Sequence, residues 1–319
     1  MRGGPPKGKP AARNQARRKL RQFRDGATGR TKVEVEQQQI RERQRLRKEQ
    51  EQQPRAAAPV TAANNGGEDF SEPLWPLHDE PPKRCQPASL DAVEPRVLLR
   101  TSRFVIIDKP PDVKHDGPNA VTVEKLAPGA LWPHRLDYGT SGLMVGAVDK
   151  ASLKALGNAD FSVSYVAVVI GTVVPDDFVI DAAIGKLADG DIRMAVGPTA
   201  VKAKPARTRV EILERCSYDG LPVTKVRLTP QTSRRHQLRV HLRHVGHAIV
   251  GETTYDSSPL SHAPRLCLHA QRLVAALDDT KLTASTGDPF PVEDGVVRML
   301  IEAPRPDSTA AESAAGSRR

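Results

Sequence analysis

Cysteine is scarce in this chain, with Cys85, Cys216 and Cys267 the only three among 319 residues. They are odd in number and widely spaced, which gives neither a disulfide framework nor a zinc knuckle and points to a reducing compartment. There is also no run of about 18 apolar residues, the length a membrane-spanning helix requires, so no membrane association is expected. The N-terminus lacks the apolar core of a secretory signal. Its first 24 residues contain no acid, which is compatible with organelle or nucleolar targeting. The lack of Ser and of an amphipathic face there weakens the transit-peptide reading and leaves nucleus, cytoplasm and organelle open.

Acid is missing from one end only. Residues 1–60 hold 17 Lys and Arg against 6 Asp and Glu, 17 − 6 = +11, while the remainder holds 31 against 32. The formal net charge of +10 therefore describes a tail. Before residue 60 the only aromatic is Phe23, and large aliphatics are few. Such a segment cannot bury enough apolar area to offset its ordering entropy. Residues 1–56 are accordingly expected to be a basic tail, disordered or partly helical, that can attract RNA phosphates through counterion release. Residues 57–95, rich in Pro, Ala and acid, read as a linker. One globular domain is expected over 96–304, and residues 305–319 as a second disordered tail.

From Arg96 onward short β-branched or alternating runs appear at 104–107, 142–147, 163–170, 209–213 and 223–228. Helical patterns are fewer: residues 152–157, and 235–245 with Leu238, Leu242 and Val245 on one side. Strands in runs with interspersed helices indicate an α+β domain with a central mixed, largely antiparallel sheet.

Two motifs carry the chemistry. One is His134-Arg135-Leu136-Asp137-Tyr138-Gly139-Thr140-Ser141-Gly142, and the other, about a hundred residues on, is His236-Gln237-Leu238-Arg239-Val240-His241. An acid between a turn and a strand can be the reactive group of an enzyme if the fold holds it ionised beside a cation. Taken alone, Asp137 reads rather as a surface turn residue, and Arg239 as a surface arginine on a basic helix.

The first motif resembles the signature of the RluA-type pseudouridine synthases, His-Arg-Leu-Asp followed by Thr-Ser-Gly. The segments 104–110, 180–185, 204–208, 234–251 and 268–270 resemble that family's other blocks, in its order. The resemblance spans roughly residues 97–275. It implies a single catalytic domain over 96–304 with an RNA-binding cleft, acting as a monomer on rRNA or tRNA. It also implies isomerisation of uridine to pseudouridine without cofactor or metal. By the same resemblance Asp137 is the essential carboxylate and Arg239 its counter-ion. Tyr165 and Leu238 line the base pocket, with Tyr165 also a candidate to help remove the C5 proton. Arg135 fills the gap left by the extruded uridine.

The chain departs from the family pattern at Val163, Ser233, Glu252 and Asp112, where Lys, Gly, Asp and Gly are usual. None of these changes removes a reactive group, but each bears on loop shape and RNA contacts. Two other readings stand beside this one. The first is an inactive RNA-binding descendant of the same fold, and the second a metal-dependent hydrolase built on His236, His241, His244 and His247.

Overall fold

A computed structural model describes residues 96–197, 200–277 and 281–300. The expected tails and linker, with Cys85, lie outside the described residues. Fourteen strands and three short α-helices follow one another there. In order they are β1 (Arg96–Arg100), β2 (Phe104–Lys109), α1 (Val123–Leu126), β3 (Ser141–Ala147), α2 (Lys150–Asn158), β4 (Asp160–Ile170) and β5 (Asp177–Asp181). Next come β6 (Ile184–Lys186), β7 (Met194–Val196), β8 (Val201–Lys204), β9 (Arg207–Tyr218), β10 (Leu221–Pro230) and α3 (Gln237–His244). The last are β11 (Leu268–Ala276), β12 (Lys281–Ser285), β13 (Val292–Glu293) and β14 (Val296–Val297).

Eleven strands form one curled sheet in the order β1-β2-β3-β11-β4-β10-β9-β14-β13, with β12 paired to β11 and β5 to β9. Pairing is parallel only at β3–β11 and β9–β14. The mixed, largely antiparallel architecture is therefore the one the pattern of runs predicts. A second sheet, β7-β6-β8, is small and separate.

β2 and β3 are buried along their whole length because both faces of this part of the sheet are covered. Alternation sends Phe104, Ile106, Leu143 and Val145 into one core and Val105, Ile107 and Met144 into another. This is the continuous apolar run expected of a strand with no wet face. A third and larger core lies under β4, β9 and β10 and receives Leu238 and Leu242 from α3.

β11, the last long strand in sequence, lies between β3 and β4. Gly142 allows this junction. With φ of +108° and a Cβ position 2.3 Å from the Ala270 carbonyl oxygen, no other residue fits there without moving the strand. The turn after β2 answers one departure from the family pattern. Asp112 has φ of +56°, and Asp is one of the few side chains tolerated in the left-handed region that glycine otherwise fills.

Candidate active site

Asp137 leaves the chain just before β3, in a turn closed by the Thr140 amide donating to its carbonyl at 3.1 Å. Lys109 holds this turn from below. Its Nζ donates to the carbonyls of Tyr138, at 3.0 Å, and Pro110, at 2.9 Å. The turn is thereby tied to the end of β2. Burial pushes the Lys109 amine down to about 7, while Asp112 and Asp137 act the other way.

Arg239 arrives from α3, a helix whose first six residues are all buried. Each has a separate employment. Gln237 fastens the helix entry by accepting from Thr232 Oγ1 and the Arg234 amide and donating to the Arg207 carbonyl and Thr208 Oγ1. Leu238 and Leu242 enter the large core, and Val240 packs beneath the small sheet. His241 binds Thr208 Oγ1 and the Ala182 carbonyl, each at 2.9 Å. Arg239 is left to face the turn that carries Asp137.

Its guanidinium joins two carboxylates. Nη1 lies 3.2 Å from Asp137 Oδ2, while Nε and Nη2 grip the two oxygens of Glu252 at 2.6 and 2.7 Å. Nη2 also donates to Thr254 Oγ1 at 2.9 Å, and the ring of Tyr255 lies 5.1 Å from the guanidinium carbon. Burial works against the charge on Arg239, but Glu252 and then Asp137 outweigh it, and the guanidinium is held positive. Burial likewise works against the Glu252 carboxylate, and Arg239 more than restores it. Glu252 has no exposed side-chain surface, whereas 28% of the Asp137 side chain is open. One acid anchors the arginine and the other is presented.

Tyr165 lies on β4 opposite Leu228 of β10 and Ala270 of β11. Burial first, and the charge of Asp137 second, push its phenol upward. It therefore stays protonated at neutral pH. Leu238 is packed into the large core. Arg135 stands apart, with 60% of its side chain exposed and, among the described residues, one ion pair, to Asp116 at 3.2 Å. Its neighbour His134 accepts from the Val145 amide at 3.2 Å and packs on Phe161.

The sequence reading missed Lys109 and saw Glu252 only as a departure from pattern, yet both fix the geometry of the Asp137–Arg239 pair. Gly251 gives Glu252 its position. It has φ of +79°, and a Cβ there would come within 2.0 Å of the Arg265 carbonyl oxygen. Three of the four histidines read as possible ligands are engaged elsewhere: His236 bonds Tyr255, His241 bonds Thr208 and Ala182, and His247 bonds the Ile170 carbonyl. Among the described residues no three metal-ligating side chains gather. None of the described helices is long and apolar enough to cross a membrane.

Comparison with known proteins adds a family. The description of RNA pseudouridylate synthase matches residues 103–244. The RNA pseudouridylate synthase domain-containing protein 1 of Danio rerio is 34% identical over 229 residues, which cover 64% of this chain and 78% of that protein. The dual-specificity RNA pseudouridine synthase RluA of Escherichia coli (strain K12) is 31% identical over 190 residues, 56% of this chain and 84% of its own. Among solved structures, human RNA Pseudouridylate Synthase Domain Containing 1 superposes with a TM-score of 0.60 at 28% identity. That match covers 70% of this chain and 100% of the other.

Proposed function

The chain belongs to the RNA pseudouridylate synthase family, and from that premise we propose that it isomerises uridine to pseudouridine in RNA, with Asp137 as the reactive carboxylate. The reaction breaks the bond from sugar C1′ to N1, turns the base and joins C5 to C1′. C5 gives up a proton and N1 gains one, so no electrons are exchanged with a partner. What the protein must supply is a carboxylate at the sugar, acting as nucleophile at C1′ or as the base that begins elimination.

The observation that carries this reading is the Asp137 carboxylate 3.2 Å from a guanidinium that Glu252 locks from the other side. A cation at contact distance stabilises the negative carboxylate, and its own anchor keeps it from swinging away when substrate displaces water. Tyr165, held as the neutral phenol, suits a stacking platform for the base better than a proton acceptor at C5. Arg135 suits the role of wedge. Its surface pair with Asp116 is of a kind worth about 0–1 kcal/mol, so the guanidinium is readily surrendered to RNA. Extruding a stacked uridine costs about a few kcal/mol, and a guanidinium that stacks on bases and bonds phosphates can offset it.

The test has two steps. Pseudouridine mapping of cellular RNA with and without the protein should reveal at least one uridine that depends on it. An oligoribonucleotide containing that site should then be converted by purified protein in the presence of chelator. Asp137→Asn should abolish conversion while leaving RNA affinity within about threefold, since a neutral isostere removes only the reactive charge. Conversion by that variant at the wild-type rate would refute the assignment. Binding without conversion by the wild type would favour an inactive descendant, and loss of activity only with chelator a metal enzyme.

A further inference from the structure

His236 is the residue of the site that the acid–arginine pair does not account for. It precedes α3 with φ of +54° and makes no side-chain capping bond to the helix. That left-handed conformation is uncommon for a residue with a side chain. It turns the imidazole away from its own helix and toward the acid. Nδ1 meets the hydroxyl of Tyr255, and Nε2 lies 3.9 Å from Asp137 Oδ1, the oxygen that Arg239 does not hold.

The tautomer follows from the neighbours. The Tyr255 hydroxyl accepts the Met194 amide proton at 2.9 Å, and giving its own proton to Nδ1 satisfies both groups. Burial pushes that phenol up to about 12, so the proton is present. An imidazole that accepts at Nδ1 carries its hydrogen at Nε2. Facing Nε2 is a carboxylate oxygen, which favours the same form. Burial, with the charge of Arg239 next, pushes the ring down to about 4, leaving it neutral, although Asp137 pulls the other way. At 3.9 Å the N–H is too far from Oδ1 for a hydrogen bond. It is a donor held beside the acid with no protein acceptor at hydrogen-bond distance among the described residues.

We infer that His236 is a catalytic residue whose Nε2–H donates to a carbonyl oxygen of the uracil ring while the base is detached from C1′. This rests on the pseudouridine synthase reading of the site. When the C1′–N1 bond breaks, its electron pair stays on the base and spreads onto O2 and O4. A pre-aimed donor stabilises such developing charge, and a neutral imidazole does so without surrendering its proton. The turn of the base gives one donor two uses. Exchanging N1 for C5 rotates the ring about its N3–C6 axis, and the same rotation exchanges O2 for O4. One N–H can therefore meet O2 before the turn and O4 after it.

Single-turnover conversion of the mapped oligoribonucleotide tests this, with uridine, 2-thiouridine or 4-thiouridine at the target. Sulfur accepts hydrogen bonds poorly, so each thio substitution should slow the wild type by about tenfold. His236→Ala should convert uridine on the order of 10²-fold more slowly with nearly unchanged RNA affinity, and should show no further thio penalty. His236→Asn, a side chain that tolerates the left-handed backbone, is read in the same way if the alanine variant does not fold. ¹⁵N NMR of the wild type should show His236 as the single Nε2–H tautomer, and Tyr255→Phe should turn it into a mixture and reduce the rate. Thio penalties equal in wild type and His236 variants would overturn the inference alone. Failure of the wild type to convert any mapped RNA would overturn the function and the inference together.

Discussion

Arg239 spans the two demands placed on this site, folding and chemistry. Removing it with Arg239→Ala would leave Glu252 buried without its partner, a change that costs about 3–5 kcal/mol when one half of a buried pair is deleted. Urea unfolding should show that loss, and conversion should fall with it. Arg239→Lys keeps the charge but cannot grip both Glu252 oxygens and reach Asp137 together. Its stability loss should be smaller, while its turnover should still fall by at least about tenfold. A lysine variant with wild-type turnover would show that the fork geometry is dispensable. Asp137 and Arg239 were legible in the sequence through their motifs. Glu252 was not, because a glutamate one carbon longer than the family's usual aspartate looks like drift until the fold brings it to the guanidinium 13 positions away. His236 was legible only as a metal candidate, since nothing in the sequence announces that Tyr255 occupies its Nδ1.

Glycine positions separate the elements that tolerate change from those that do not. A Cβ at Gly142 or Gly251 would drive into a backbone carbonyl, at 2.3 and 2.0 Å, on a left-handed φ. Gly142→Ala and Gly251→Ala should each cost more than about 3 kcal/mol or yield insoluble protein, as backbone clashes at such sites do. In α2, Gly157 has nothing within 4 Å of its Cβ position. Gly157→Ala should raise stability by about 0.5–1 kcal/mol in the same unfolding assay. The strands at 104–107, 163–170 and 223–228 were readable because β-branched residues recur in them, and 142–147 because it is a short apolar run bounded by Gly. β11 was not recognised as a strand. Its sequence, LHAQRLVAA, is dominated by good helix formers, and only pairing with β3, β4 and β12 holds it extended. α3 begins two residues later than its apolar face suggests, since His236 is diverted from the helix.

At the scale of the whole molecule, acid should loosen the fold in a definite window. Burial pushes His134, His236 and His241 down to about 4 from an ordinary value of 6.5. Between these values the unfolded chain binds protons that the folded one refuses. Stability is therefore complete above pH 6.5 and is lost as pH falls toward 4. The thermal midpoint should drop through that range, and His134→Gln, which keeps an acceptor for the Val145 amide, should flatten the drop. An unchanged slope would mean that His134 is protonated in the fold.

The position of β11 also governs when the site can come into being. Asp137 is attached to the β1–β3 side of the sheet and Arg239 to the β4–β10 side, and β11 is the strand inserted between them. A ribosome makes residues 268–276 only after both of those sides. Until that stretch has emerged, the nascent chain holds the acid and its arginine on two unjoined fragments. Pairing over such sequence separations is slow, and the exposed edges of β3 and β4 are open to wrong partners meanwhile. The Asp137–Arg239 pair is thus among the last things this polypeptide acquires as it is made.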